Sequence, residues 1–378
     1  MNFEEYVAKP LLAGVGITVP RSRLAEDPAE AAKAAAEIGA CVVKAQVPTG
    51  KRGKAGGIKL AANPDEARGH AEAILGMEID GHRVMKVTIE EQVPIALELY
   101  ASIVSDPQSR SPMLLFSAMG GMDVEEAAET NPDAMRRRVI DITEGLSEED
   151  AAAACAGLDL GGQEADVAST LVRLYAAYRM FDAELLEINP LVITRDGRVV
   201  ALDCKLTVDD SSAPRQGEIA GRASAEKMSA LEAEARAADL KYIELGGDVG
   251  ILANGAGLTM TTMDAVNHYG GKAANFLEVG GEAYTKAHTA LAILLKNPEI
   301  KSLLVNFCGA FARTDVMALG VVEAWKDLKP DIPVFFTIHG TGEEEAIALV
   351  KRELGIEPFD RMDDAVRAAV AATGARAA

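Results

Sequence analysis

Val42 to Gly57 reads VVKAQVPTGKRGKAGG. It opens in a strand, Cys41 to Val47, and breaks into a Gly-rich loop, with basic residues at Lys44, Lys51, Arg52 and Lys54. Gly50, Gly53, Gly56 and Gly57 carry no Cβ, so the backbone can turn with positive φ and come close to a ligand. Backbone N–H groups beside Lys and Arg suit a polyphosphate. GKRGK lacks the spacing of a P-loop, and a solvated basic hairpin tip is the alternative reading. Lys44, in an apolar strand, is either a snorkelling edge residue or a phosphate partner.

Outward from the loop, the punctuation is that of a mixed α/β chain. Asp27-Pro28-Ala29-Glu30 and Asn63-Pro64-Asp65-Glu66 each offer a cap, a first-turn proline and a glutamate at N3. Gly39 and Gly76 close the helices that follow. Phe3 to Ala13 is expected to form an amphipathic helix that Pro10 kinks or ends early. Lys86 to Ile89 reads as a strand leading to Glu90 and Glu91, and Leu97 to Val104 and Met113 to Ala118 as paired strands, the second ending at Gly120-Gly121. Asp123 to Thr130, Glu149 to Ala156 and Asp166 to Arg179 read as helices.

The second informative stretch is Leu185 to Leu206, LLEINPLVITRDGRVVALDCKL. Asp196-Gly197 signals a two-residue hairpin turn. That pairing sets Pro190 opposite Asp203 and puts Asn189 and Asp203 on opposite faces. A bend at Asn189-Pro190 is then needed to aim both at one ion. Glu187, Asn189 and Asp203 form an oxygen-donor cluster suited to a hard cation such as Mg²⁺; a capped hairpin end is the alternative.

A polar stretch, Val208 to Arg222, precedes an Ala/Glu-rich helix over Ala223 to Ala238 and places a domain boundary near residue 225. Beyond it, strands at Gly250–Ala253, Ala274–Val279, Lys301–Asn306 and Pro333–Ile338 each run through a Gly-containing turn, the second at Gly280-Gly281, into a helix. That repetition implies a doubly wound parallel sheet, with ligands at the carboxyl ends of its strands. Asn254-Gly-Ala-Gly and Cys308-Gly-Ala-Phe-Ala join strand to helix, as anion sites or as plain tight turns.

Composition narrows the function classes. Asp and Glu number 58 against 38 Lys and Arg, a net charge of −20, which argues against non-specific nucleic-acid binding. Cys41, Cys155, Cys204 and Cys308 show no zinc or disulfide spacing, so reduced cytosolic thiols are expected. No signal peptide or membrane-spanning run is visible. His70, His82, His268, His288 and His339 have no metal spacing, and no Ser/His/Asp or Cys/His nucleophile set can be argued.

In order along the chain stand NFEEYxAK, KAQVxxGxRGKAGGIKL, ExxxxIAxELY, LEINPLVI, LDxKL, NGAGLTMxTMD, ANFLEVGG and LVNxxGxxxRTD. This series, over nearly the whole chain, is similar to the β subunit of ADP-forming succinate–CoA ligase (succinyl-CoA synthetase). The resemblance implies an α/β chain with an ATP-grasp nucleotide-binding domain (1–225) followed by a flavodoxin-like CoA-ligase domain (226–378). It also implies a cytoplasmic enzyme of the tricarboxylic acid cycle, using Mg²⁺ and ATP, active only as a heterodimer with an α subunit. In that family ATP, an acid and CoA give acyl-CoA, ADP and phosphate through an acyl phosphate. A phosphohistidine on α carries the phosphoryl group, and CoA binds mainly on α.

Carried over by position, Lys44, Lys51, Arg52 and Gly53 would hold the nucleotide phosphates. Glu90, Val93 and Glu98 would line the adenine and ribose side. Asn189 and Asp203 would bind Mg²⁺, and Glu187 would position the incoming phosphohistidine. Asn254, Ala310, Phe311 and Ala312 would face the acid. Pro20 resembles ATP-preferring members. The chain departs from the family at Lys51, at Met119, at Cys308 to Arg313 and at Thr337 to Gly342, where His339 stands for a glutamate. These departures open the possibility of an acid other than succinate, malate-like or another small anionic acid. An ATP-grasp carboxylate–amine ligase would share only the N-terminal half. A non-catalytic nucleotide-binding subunit is the remaining class, disfavoured by intact Glu187, Asn189 and Asp203.

Overall fold

The computed structural model describes residues 1–50, 52–121, 135–224, 228–279 and 286–374. Lys51, the helix expected over Asp123 to Thr130 and the Gly280-Gly281 turn lie outside the described residues. The chain divides into two compact units, Met1–Glu226 and Lys227–Ala378.

The first unit begins with a short strand β1 (Asn2–Phe3) and helix α1 (Glu5–Gly14). Pro10 does not end α1, which runs on through it for another turn. Strand β2 (Ser22–Ala25) leads to α2 (Pro28–Ile38), capped by the Asp27 carboxylate, and β3 (Cys41–Gln46) follows. Beyond the basic loop come β4 (Ile58–Ala61), α3 (Pro64–Ile74, capped by Asn63) and a minimal hairpin, β5 (Glu78–Ile79) with β6 (His82–Arg83). Strand β7 (Lys86–Glu91) completes an antiparallel sheet of order β2-β7-β3-β4.

The two-residue period of β3 and β7 sorts their side chains. Cys41, Val43, Ala45, Val87 and Ile89 join Ala31, Ala35, Ala71 and Ile74 of α2 and α3 in one apolar core. Lys44, Gln46, Thr88 and Glu90 therefore point to the opposite face, which α1 covers: the Tyr6 N–H donates to Gln46 Oε1 at 2.9 Å. Lys44 is thus not an edge residue, since β3 has neighbours on both sides.

The larger sheet of this unit is antiparallel too. It contains β8 (Ile95–Asp106), β9 (Ser111–Ser117), β10 (Arg136–Val139), β11 (Ala183–Thr194), β12 (Val199–Ala201) and β13 (Lys205–Val208), in the order β1-β13-β11-β8-β9-β10, with β12 on β11. Helices α4 (Glu148–Cys155) and α5 (Glu164–Met180) close one face over Leu99, Ile103, Leu186, Ile188 and Leu206.

The β11–β12 hairpin differs from the two-residue expectation. Thr194 N–H donates to Arg198 O at 2.9 Å, and Gly197 sits at φ +82°, so the loop is Arg195-Asp196-Gly197. A three-residue loop with glycine in the left-handed position is the next commonest hairpin closure. Its extra residue moves the register by one: Leu191 faces Ala201, and Glu187 faces Lys205. Continued between the two ladders, that register sets Asn189 opposite Asp203, and β11 is irregular between Ile188 and Leu191, at the expected bend, where the Asn189–Pro190 peptide is cis.

In the second unit, a short helix over Ala230–Ala237 replaces the longer one expected and precedes β14 (Tyr242–Glu244). A parallel ladder of β15 (Val249–Ala253), β17 (Ser302–Gly309) and β18 (Val334–Gly340) follows. The fourth expected strand is reduced to β16 (Asn275–Leu277), which pairs antiparallel with β14 and touches β15 through two isolated parallel bridges. Helices over Ala287–Leu294, Thr314–Leu328 and Glu343–Leu354 pack on Leu252, Leu303 and Val305. Helices over Ala256–His268 and Met362–Ala372 pack on Ile251, Ala253 and Leu304. Alternate residues of each strand thus face opposite helix layers, the doubly wound arrangement. The Met362–Ala372 helix was not foreseen from the sequence.

Candidate functional site

The polar face of β3 and β7, the basic loop and α1 meet in a buried ion cluster. Lys44 Nζ lies 2.7 Å from Glu90 and 3.1 Å from Glu5, and donates to Leu202 O at 2.6 Å. Arg52 reaches Glu5 at 2.7 Å and grips both oxygens of Asp203 at 2.7 Å. Lys9, one helical turn after Glu5, pairs with it at 2.6 Å and also with Glu90. Burial alone would drive these groups neutral, raising Glu5 and lowering Lys44 and Arg52. The opposite charges win: Arg52, Lys44 and Lys9 hold Glu5 well below the usual carboxylate range. Glu5, Glu90 and Asp203 raise Lys44, and Asp203 and Glu5 raise Arg52. Glu5, Lys44 and Arg52 are therefore charged at neutral pH.

Beside this cluster a small cleft opens along β11 and β13, lined by Thr49, Arg52, Glu187, Asn189, Asp203 and Lys205 among others. The hairpin register presents Glu187, Asn189, Asp203 and Lys205 from one face. Tyr100 O–H donates to Glu187 Oε2 at 2.9 Å, and Gly121 N–H donates to Asn189 Oδ1 at 2.9 Å. Among the described residues no three His, Cys, Asp or Glu side chains converge as a complete metal cage. One carboxylate facing one amide oxygen nonetheless fits Mg²⁺, which keeps waters and shares its remaining positions with phosphate oxygens.

The other expected nucleotide residues are placed apart from the cleft's mouth. Glu90 is closed inside the ion cluster at 2% exposure. Val93 lies in the half-buried connection between β7 and β8, and Glu98 is half-buried on β8. The Glu98 carbonyl accepts the Gly120 N–H at 2.9 Å, and a Cβ on Gly120 would fall 2.3 Å from Leu99 O, so only glycine passes there. Gly53 is exposed on the basic loop.

In the second unit the expected acid-site residues gather at the carboxyl ends of β15 and β17. The Asn254 amide is committed in both directions: Nδ2 donates to Cys308 O at 2.9 Å, and Oδ1 accepts Cys308 N–H at 2.8 Å. Asn254 thereby pins the start of the turn that carries Ala310, Phe311 and Ala312, and Phe311 is fully exposed at its tip. His339 stands beside Cys308 in the parallel register, with Nδ1 3.5 Å from Glu343.

Comparison with known proteins adds the family. Residues 2–193 match the ATP-grasp domain model and residues 252–371 the CoA-ligase model. The GDP-forming succinate–CoA ligase subunit beta of Thermus thermophilus is 41% identical, covering 100% of both chains. The ADP-forming subunit beta of Rubrobacter xylanophilus is 43% identical, covering 98% of both. The chain belongs to the succinate–CoA ligase β-subunit family. Its fold also matches that of a structure of ATP citrate lyase from Methanothrix soehngenii, with a TM-score of 0.73 at 23% identity, covering 98% of this chain and 99% of that one. A succinate–CoA ligase β subunit is an acid–thiol ligase component that partners an α subunit, which sets aside the carboxylate–amine ligase and the non-catalytic subunit.

Sequence reasoning on this β subunit missed Glu5, Lys9, Thr88, Tyr100 and Lys205. The signal for the first two was available: in NFEEYVAK they stand four apart on a helix, along the stripe completed by Ala8 and Leu12. A Glu–Lys pair four apart is ordinarily a surface pair, so the shared stripe with apolar residues was the one hint of burial.

Proposed function

We propose that this chain is the nucleotide-activating subunit of an ADP-forming succinate–CoA ligase, with residues 1–225 as the nucleotide domain and 226–378 as the CoA-ligase domain. With its α subunit it would convert ATP, succinate or a related small acid, and CoA into acyl-CoA, ADP and phosphate, in the cytoplasm. The observation that carries this reading is Arg52 locked onto Asp203 beside Asn189 and Glu187. A guanidinium and a carboxylate held together in this way each keep the other's place. When a polyphosphate arrives, Arg52 and Lys44 turn from carboxylates to phosphate oxygens, and Asp203 is released. Asn189 and Asp203 would then hold Mg²⁺, which when bound neutralises developing phosphate charge. Glu187, steadied by Tyr100, would orient the α-subunit histidine that receives the phosphoryl group. Positioning and charge neutralisation are what phosphoryl transfer asks of such a chain. Lys51, Val93 and Glu98 complete the proposed nucleotide set, and Glu90, closed inside the ion cluster, would act through Lys44 rather than touch the nucleotide.

The acid would meet Asn254 and the turn Ala310-Phe311-Ala312. The exposed Phe311 and the Cys308–His339 pairing leave the choice of acid to experiment. The purified chain and its α subunit, assayed over a panel of acids with ATP and with GTP, are expected to favour succinate or a close relative, with ATP preferred. No acid-dependent nucleotide hydrolysis with α present would overturn the reading.

A further inference from the structure

The ion cluster contains two charges that the proposed chemistry does not use, Glu5 and Lys9. Both belong to α1, and both are nearly inaccessible, at 3% and 4% exposure. Among the described residues, Glu5 is the only carboxylate of the cluster that touches all three cations. Its Oε1 takes Lys9 at 2.6 Å and Lys44 at 3.1 Å, and its Oε2 takes Arg52 at 2.7 Å. Glu90 reaches only the two lysines and Asp203 is hydrogen-bonded only to Arg52 among the cations. Lys9 in turn ties Glu5 to Glu90, which fixes α1 against β7. If Asp203 leaves Arg52 for a metal ion, Glu5 is the carboxylate that remains, beside the Ala45 carbonyl, which accepts from Arg52 Nη1 at 2.9 Å.

We infer that Glu5, held by Lys9, is a positioning residue for the nucleotide phosphates: it fixes the separation of the Lys44 and Arg52 head groups. This rests on the proposal that Lys44 and Arg52 bind phosphate. Among the described residues three cations and three carboxylates make up the cluster, and each Glu5 oxygen has a cation within 3.1 Å, Oε2 as an ion pair with Arg52, so a shift of α1 moves the ion partner that both phosphate-binding side chains share. Folding alone would be served by any balanced set of charges or by apolar side chains of similar size. Positioning needs this carboxylate at this reach.

The test compares steady-state kinetics and thermal unfolding of the full chain with its α subunit. Glu5→Gln/Lys9→Met removes one charge of each sign and leaves the cluster balanced. The inference predicts an unfolding midpoint within about 5 °C of wild type. It also predicts an ATP KM raised about tenfold with kcat changed less than about threefold, and an unchanged succinate KM. A wild-type ATP KM in this double variant overturns it. Should the double variant fail to fold, Glu5→Asp decides: the charge stays but its reach shortens. A rise in ATP KM of about threefold or more supports the inference, and a wild-type value overturns it. Lys44→Ala runs alongside and is expected to raise the ATP KM about tenfold or more, the loss of one charge-assisted phosphate contact. If it does so while both Glu5 variants bind normally, only the positioning role falls. If Lys44→Ala leaves the ATP KM unchanged, the phosphate reading of the site falls with it.

Discussion

Glu5 shows how burial and charge compete at one atom. Burial by itself would raise its pKa, but Arg52, Lys44 and Lys9 together pull it well below the ordinary value. The linkage follows directly. Its stabilising contribution is complete above the unfolded-chain pKa of about 4.3 and is lost as pH falls from there through the lower folded-state value. At neutral pH, Glu5→Gln is expected to cost on the order of 3 kcal/mol, because it leaves cations buried with one carboxylate fewer. Thermal unfolding of wild type and Glu5→Gln from pH 7 to pH 3 should show their gap narrowing below about pH 4.3; a gap of constant size would mean the carboxylate is not ionised in the fold. At this scale the sequence was partly legible. Lys44 and Arg52 stood out because they flank glycines in an acidic chain. Glu5 and Lys9 did not, because a Glu–Lys pair four apart on a helix is ordinarily a surface pair. Only the contact with β3 and β7, distant in sequence, makes it an interior one.

At the scale of elements, the β11–β12 hairpin decides whether the site exists. Asp196-Gly197 rightly signalled the turn, but not how many residues lie within it, since the same dipeptide serves two-residue and three-residue loops. One residue of loop length is one residue of register, and one residue of register reverses every side chain. The observed loop places Asn189 opposite Asp203 and keeps Glu187 and Lys205 on their side. Deleting Asp196 should tighten the loop to two residues and either turn Asp203 away from Asn189 or strain the pairing. The expected result is a fold retained by circular dichroism with ligase activity down about 10²-fold, the scale of an ångström-sized misplacement. Activity within a factor of about two of wild type would show that the register does not set the site. Two helix starts were the easier part: Asp27 and Asn63 cap where their side chains can reach the free N–H groups of the first turn. Pro10 does not end its helix early: the helix continues for a turn beyond it, packed through Leu12 into the core.

Over the whole molecule, the order of elements was legible and the extent of the parallel sheet was not. Four strand–turn–helix units read as four equal strands. The second of them, β16, is instead divided between an antiparallel partner and two single bridges. Local pattern fixes a strand's existence, whereas its neighbours are chosen by packing across the sheet. The excess of negative charge, −20 overall, stands against a site whose own charges balance. An anionic nucleotide must therefore be drawn by Lys and Arg already in place. The central claim is that this chain takes the γ-phosphoryl group of ATP and delivers it to its α subunit at the Asn189–Asp203 face. The most direct measurement is single-turnover transfer of γ-labelled phosphate from ATP to α, with wild-type chain and with Asp203→Ala. Label should reach α only when this chain and Mg²⁺ are present, and Asp203→Ala should slow transfer by about 10²-fold or more. Labelling of α at the same rate without this chain, or with Asp203→Ala in place of wild type, would contradict the account.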